Sequence, residues 1–295
     1  MPADYVVIDG QIVPMENAQI SIMDAGFLHG AGLFETMRAV DGRVFRLAAH
    51  RDRLQQSADA WDIPFSLSLE DLRALCAELL EANDLTQARL RLTLTRGVTT
   101  APDPETRLAL TATEFQPYPE QLYQAGMTVM MSAYRQNPES PTCGHKTCAY
   151  VDRLLALKAA HTAHCNEALW FTARDQFLAE ACMSNVFLVD KQGLLCTPPL
   201  TTGGEHPRWV CLPGITRQVV CELATELNLV PQERWLTIAD VLSARELFLT
   251  NAVMGVMPVT RVERHEVGEA KVGAVTTQFR ELYLARLKHE TQSAS

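Results

Sequence analysis

No two of the eight cysteines in this 295-residue chain stand in a Cys-x-x-Cys pair, which disfavours a zinc ribbon or a thioredoxin-type redox motif. Apolar runs are short, and none approaches the roughly 20 residues a membrane helix needs. Met1 to Gln11 lacks a basic segment followed by an apolar stretch. No secretory signal is read there, so a cytoplasmic location with reduced thiols is expected. Basic charge is scarce as well: 26 Lys+Arg against 35 Asp+Glu leave a formal net charge of −9. Nucleic acid and anionic membrane surfaces attract basic patches, so neither is an expected partner. Internal repeats and low-complexity segments are lacking too. What remains, at 47% hydrophobic and 21% charged residues, is the composition of a folded globular protein. Its length exceeds that of a usual single core, which predicts two domains.

Tyr5 to Ile8 is a β-branched run that meets the hairpin signal Asp9-Gly10. The spacing predicts helices over Ala48 to Trp61 and Leu69 to Ala82, with apolar positions repeating at three and four. Leu90, Leu92 and Leu94 alternate with Arg91, Thr93 and Thr95, the pattern of a half-buried strand. The stiff, turn-rich Gln116-Pro117-Tyr118-Pro119 marks a linker. It divides the chain into an N-terminal domain, 1–118, and a C-terminal domain, 119–295. In the second half, strands are expected over Met127 to Ala133, Glu167 to Thr172, Asn185 to Val189 and Glu246 to Ala252. Helices are expected over Tyr150 to Cys165, Ile215 to Leu227 and Val272 to Leu287. Short strands and helices mixed without regular βαβ alternation predict an α+β fold.

Several segments could carry chemistry. Cys143, His145 and Cys148, and then His161, His164 and Cys165, cluster without a standard ligand spacing. They read as small thiols and helix histidines, and no metal is expected. Gly26-x-x-x-Gly30-x-Gly32 is not a dinucleotide fingerprint and reads as a tight turn before a strand. Lys146 follows a Pro- and Gly-containing loop and precedes an apolar helix. A lysine amine partly desolvated there would favour Schiff-base chemistry. In Leu212-Pro-Gly-Ile-Thr-Arg217, a helix start offers N–H groups and the Thr216 hydroxyl to a phosphate. Thr250-Asn251-Ala252 ends a strand and offers a second set of N–H groups. Arg53 offers a bidentate phosphate contact or a solvated helix face. Glu180, by itself, reads as a surface carboxylate.

Their order along the chain carries more than each alone. Asp24 to Thr36, His50 to Leu54, Lys146 to Tyr150, Glu180 to Asn185, Leu212 to Arg217 and Leu249 to Val259 together resemble the fold-type IV pyridoxal-phosphate enzymes, or class IV aminotransferases. That family includes branched-chain aminotransferases, D-amino-acid aminotransferases and 4-amino-4-deoxychorismate lyases. The resemblance implies an α/β N-terminal domain, a pseudo-barrel C-terminal domain with the Schiff-base lysine, and a homodimer. It implies pyridoxal 5'-phosphate as cofactor, with Lys146 as the catalytic lysine. Glu180 then faces the pyridine nitrogen and keeps the ring an electron sink. Arg53, Ile215, Thr216, Asn251 and Ala252 would form the phosphate cup, with Tyr150 near the cofactor's phenolic oxygen. Phe27, His29, Arg91 and Arg96 are the candidates for the substrate pocket.

The same resemblance narrows the reaction. Thr95-Arg-Gly97 is followed by Val98 to Pro102, without the Arg and His that trap a substrate carboxylate in the D-amino-acid enzymes. Arg91 matches an arginine of the branched-chain enzymes, whereas Asn251 to Val259 looks closer to the lyases. The expected function is a branched-chain-like aminotransferase moving an amino group from an amino acid to a 2-keto acid. The alternative is a 4-amino-4-deoxychorismate lyase releasing pyruvate and 4-aminobenzoate.

Overall fold

The computed structural model describes residues 4–100 and 106–292; Met1 and the Ala101-Pro102 end of the segment after Gly97 lie outside them. The chain divides into two compact units. One holds Met1–Gln116, His145–Ala149 and Arg286–Ser295; the other holds Pro117–Gly144 and Tyr150–Ala285. The segment carrying Lys146 therefore falls in the first unit, where a single cut at 118/119 puts it in the second. Backbone pairing decides this. Residues 145–149 hydrogen-bond to a strand that the chain formed more than a hundred residues earlier.

In the first unit, β1 (Tyr5–Ile8) and β2 (Gln11–Pro14) form a hairpin. Its turn residues Asp9 and Gly10 both take positive φ, 49° and 81°, as a two-residue turn of that hand requires. A short helix, α1 (Ala25–His29), is capped by Asp24, whose carboxylate accepts from Gly26 N at 2.7 Å. Then follow β3 (Gly32–Val40), β4 (Arg43–Val44), α2 (Leu47–Ala60), α3 (Leu69–Ala82), β5 (Ala88–Thr95) and β6 (Arg107–Glu114). The six strands form an antiparallel sheet in the order β2-β1-β6-β5-β3-β4. The alternation in β5 works as its sequence predicts. Leu90, Leu92 and Leu94 are buried and share a core with Leu33 and Met37 of β3 and with Leu54, Leu72 and Leu79 of the two helices. Each such leucine contributes about 2 kcal/mol by burial.

The second unit contains α4 (Glu120–Ala125), β7 (Met127–Gln136), α5 (Val151–Thr162), β8 (Glu167–Thr172), β9 (Leu178–Ala181) and β10 (Asn185–Val189). It continues through β11 (Leu195–Thr197), α6 (Ile215–Glu226), β12 (Gln232–Glu233), α7 (Ile238–Leu242), β13 (Glu246–Asn251), β14 (Gly255–Val262), β15 (His265–Glu266) and most of α8 (Ala274–Gln292). Eight strands run in the order β12-β11-β10-β13-β14-β7-β8-β9, and β15 pairs with β14. Ala181 N donates to Ser184 O at 2.7 Å, turning β9 straight into β10. The sheet therefore curls on itself as a pseudo-barrel. Every residue of β8, β9 and β10 is buried, so these strands read as continuous apolar runs, with polar exceptions that need partners. Glu180 is one exception: it lies within β9, a strand the sequence pattern does not reveal. Among the described residues, no helix is long and apolar enough to cross a membrane.

Candidate active site

The expected residues fall into two groups, one in each unit. In the first, Lys146 sits on a segment that pairs with the start of β3. Phe34 N donates to Lys146 O at 2.8 Å, Cys148 N donates to Gly32 O at 2.8 Å, and Leu33 bridges Thr147. The lysine backbone thus has the constraint of a strand. Its amine lies 4.5 Å from the centroid of the Phe34 ring. Arg91 stacks on the same ring at 3.7 Å. This follows from register: Phe34 faces Thr93 across the ladder, and Arg91 is its diagonal neighbour. Arg91 and Lys146 are therefore brought to one aromatic ring. Phe27 and His29 are instead exposed on α1, and Arg96 turns its guanidinium to Trp61 O at 3.3 Å.

Arg53 is not a solvated helix charge. Leu47, His50, Arg53, Leu54, Ser57 and Ala58 form the buried stripe of α2, so helical spacing alone carries Arg53 inward. Its partner is Glu35, which is buried within β3 between Leu33 and Met37. Arg53 Nε and Nη2 donate to the two carboxylate oxygens at 2.8 and 2.5 Å. His50 Nδ1 lies 2.7 Å from Oε2; a carboxylate only accepts, so this nitrogen carries the proton. Burial pushes the Glu35 carboxyl up, but the Arg53 charge and the His50 contact outweigh it and hold the pKa down at about 2. Burial likewise pushes the His50 pKa below 6.5, although Glu35 opposes it. Glu35 and His50 belong to the ordered motifs, but no role is read for them in sequence. The available signal was an acid inside the apolar run of β3 and a histidine in the apolar stripe of α2.

In the second unit, Glu180 is buried and fixed at both oxygens. Arg153 Nη2 donates to Oε1 at 2.5 Å, and Leu212 N donates to Oε2 at 3.0 Å. Arg153 also donates to Ala181 O and to Gln136 Oε1, both at 2.8 Å, and stacks 4.2 Å over Trp170. Nothing in the sequence pattern singles out Arg153, which lies in the first turn of α5 as an ordinary arginine. Tyr150, the N-cap of α5, donates its hydroxyl to Cys182 O at 2.8 Å. Burial raises its pKa above the ordinary tyrosine value.

Ile215 and Thr216 open α6, with Gly214 as N-cap. The first N–H groups of a helix have no intrahelical acceptor and carry the positive end of its dipole. Gly214 leaves no room for a side chain, because a Cβ there would overlap Asn185 Oδ1. Asn185 Nδ2 in turn holds Leu212 O at 2.8 Å. At the end of β13, Asn251 Oδ1 accepts from Val253 N at 2.9 Å and Met254 N at 2.8 Å, folding 251–254 into a tight turn. The insert Thr201 to Trp209 is an ordered hairpin. Thr202 N bonds Arg208 O and Val210 N bonds Leu200 O, both at 2.8 Å. Its Trp209 covers Gly144, and Cys143 Sγ donates to Trp209 O at 3.0 Å. His145 pairs its Nδ1 with Ser57 Oγ at 2.9 Å.

The family model described as amino-transferase class IV matches residues 32–262. Over 283 residues, 94% of each chain, the sequence is 33% identical to a Methanocaldococcus jannaschii protein assigned to the branched-chain-amino-acid aminotransferases. It is 29% identical over 303 residues to the Salmonella typhimurium branched-chain-amino-acid aminotransferase, covering 98% of this chain and 95% of that one. The fold superposes on the Escherichia coli branched-chain amino acid aminotransferase with a TM-score of 0.89 at 27% identity, covering 99% of this chain and 97% of that one. These relatives do not favour the lyase alternative. A further branched-chain amino acid aminotransferase of the same fold was solved with pyridoxamine 5'-phosphate, which supports the pyridoxal-phosphate cofactor. The ordered motifs, the α+β fold with its pseudo-barrel and the matched span agree: the chain belongs to the class IV aminotransferase family.

Proposed function

We propose that this protein is a pyridoxal-phosphate-dependent aminotransferase that takes the amino group of a branched-chain amino acid and passes it to a 2-keto acid. The carrying observation is a lysine amine held over the Phe34 ring in a chain whose residues 32–262 match amino-transferase class IV. The residue types fit the cofactor. Gly214 brings the α6 start close to Asn185, where a Cβ would overlap, and Glu180 is a buried carboxylate with a fixed orientation. When bound, pyridoxal phosphate supplies an electron sink for the carbanion left after an α-proton departs.

The chain's own residues do the rest. Lys146 would supply the amine that holds the cofactor and would move a proton at the substrate α-carbon. Its backbone bond to β3 fixes where the side chain leaves the main chain. Glu180 would hold the pyridine N–H; each oxygen keeps a lone pair beyond its bond to Arg153 or Leu212 N. Ile215, Thr216, Asn251 and Ala252 offer N–H groups and a hydroxyl to the phosphate, and Arg53 offers its charge. The Arg53–Glu35 pair sets the orientation of that guanidinium. Tyr150, its proton given to Cys182 O, would stand beside the phenolic oxygen, and Arg91 with Phe34 would line the substrate pocket. Phe27, His29 and Arg96 contribute to that pocket from the exposed side.

Two further parts belong to this reading. The exposed run Ile20, Ile22, Met23, Phe27 and Leu28 of the first unit supports a homodimer. All eight cysteines are free thiols, which supports a cytoplasmic location. The test is the visible spectrum of the purified protein before and after single amino acids, without keto acid. The wild type should show a cofactor band that one branched-chain amino acid bleaches. A Lys146→Ala protein that still exchanges amines at the wild-type rate would overturn the assignment.

A further inference from the structure

One buried carboxylate in the second unit has no role so far. Glu167 opens β8 and is 3% exposed. Its oxygens accept from Met183 N at 2.6 Å and from the Ser184 hydroxyl at 2.9 Å. Among the described residues no lysine or arginine forms an ion pair with it. Arg153, Glu180, Tyr150 and Cys182 are the charged and titratable groups that face it. Burial pushes its pKa up to about 7. A buried carboxylate held only by neutral donors is costly, and an apolar side chain would serve a packing role better.

The hydrogen bonds have a direction. In the ionised form, which predominates above about pH 7, the carboxylate only accepts, so Ser184 gives its proton to Glu167. The serine's lone pairs then face Asn251, whose Nδ2 donates to Ser184 Oγ at 3.3 Å. That leaves Asn251 Oδ1 for Val253 N and Met254 N. Those two backbone N–H groups set the orientation of the Asn251 amide, and the Ser184 contact ties its other end in place. Glutamine at 167 could donate to Ser184 instead, and the direction would be lost.

We propose that Glu167 is a positioning residue for the phosphate cup: through Ser184 it ties down the Asn251 amide, and through that amide the 251–254 turn that carries Asn251 and Ala252. This rests on the reading that Asn251 and Ala252 hold the cofactor phosphate. Glu167 touches neither the cofactor nor the reacting atoms. Its hydrogen-bonded route through Ser184 leads to the phosphate end, so loss of that route should weigh less on a cofactor without phosphate.

The experiment titrates the full-length chain, stripped of cofactor, with pyridoxal phosphate and separately with pyridoxal, following the visible absorbance. Wild type, Ser184→Ala and Glu167→Gln are compared, with Lys146→Ala as blank. Ser184→Ala should raise the half-saturating pyridoxal phosphate concentration about tenfold, the effect of one lost charge-assisted link. Its pyridoxal titration should move by less than about twofold, since the phosphate-free ligand does not use the cup. Glu167→Gln should follow, and the double variant should be no worse than either single one. An equal loss for both ligands, or no loss, overturns the proposal. Ser184→Ala removes only a hydroxyl, so an unchanged pyridoxal phosphate titration there overturns the proposal even if Glu167→Gln does not fold. A wild type that takes up neither ligand would instead overturn the cofactor reading itself.

Discussion

Replacing Glu35 with glutamine should cost the protein about 3 kcal/mol at neutral pH and remove the share of its acid sensitivity that this carboxyl carries. The magnitude has two sources. A carboxyl held at about 2 against an ordinary 4.5, at about 1.36 kcal/mol per tenfold in proton affinity, gives about 3.4 kcal/mol. Independently, removing one member of a buried ion pair costs about 3–5 kcal/mol, because the surviving charge is stranded; here that charge is Arg53, 8% exposed. The pH window follows from the direction of the shift. The folded form of Glu35 binds protons less readily than the unfolded form, so its stabilisation is whole above pH 4.5. It is lost as pH falls from 4.5 through about 2. His50 acts in the same sense at higher pH: its pKa lies below 6.5 in the fold, so acid below 6.5 favours the unfolded chain. Urea unfolding followed by tryptophan fluorescence, at pH values from 3 to 8, measures both. The wild-type and Glu35→Gln curves should lie about 3 kcal/mol apart at pH 7 and draw together below pH 4. Curves that stay parallel throughout would refute the argument.

Glu167 should show the opposite sign. With its pKa raised from 4.5 to about 7, wild-type stability should fall by about 3 kcal/mol as pH rises from 4.5 to 7, and urea titrations of Glu167→Gln should lack that decline. Gly144→Ala should lower stability by about 2–4 kcal/mol, because the position takes φ of 77° and a Cβ would overlap Trp209; a thermal midpoint unchanged from wild type would count against it. Gly214→Ala should weaken pyridoxal phosphate binding by about tenfold or more, since the new Cβ displaces the Asn185 amide. Absorbance titration reads this directly, and an unaltered half-saturation point would contradict it.

Where local pattern and burial coincide, the fold was legible. Helix α3 spans Leu69–Ala82 as its periodicity predicts, with Ser68 accepting from Asp71 N at its start. The leucine alternation of β5 and the Asp9-Gly10 turn were equally direct. β9 was not, because Leu-Ala-Glu-Ala has no strict alternation when both faces are buried. For the same reason Glu180 resembles a surface carboxylate until its strand is known. The lysine, the glutamate and the helix start are singled out in the sequence because they stand in order. Their supporting residues are not, since Glu35 with Arg53, Arg153 with Glu180, and Glu167 with Ser184 are pairs made by tertiary packing. Spacing cannot report a partner 18, 27 or 17 positions away. What it does report is an acid or a base in an apolar setting, and Glu35, Arg53 and Glu167 are such cases.

The first unit is discontinuous in the chain, and this orders its birth. Its sheet is complete in sequence by Glu114, yet residues 145–149 and the end of α8 belong to it. A ribosome that has released the first 116 residues has released a sheet with the start of β3 still unpaired on the side that Thr147 will take. The early chain therefore carries an open strand end until the lysine segment emerges and zips onto it. Closing that gap and installing Lys146 are one event, so a nascent chain cannot have Lys146 in place while this edge is still open.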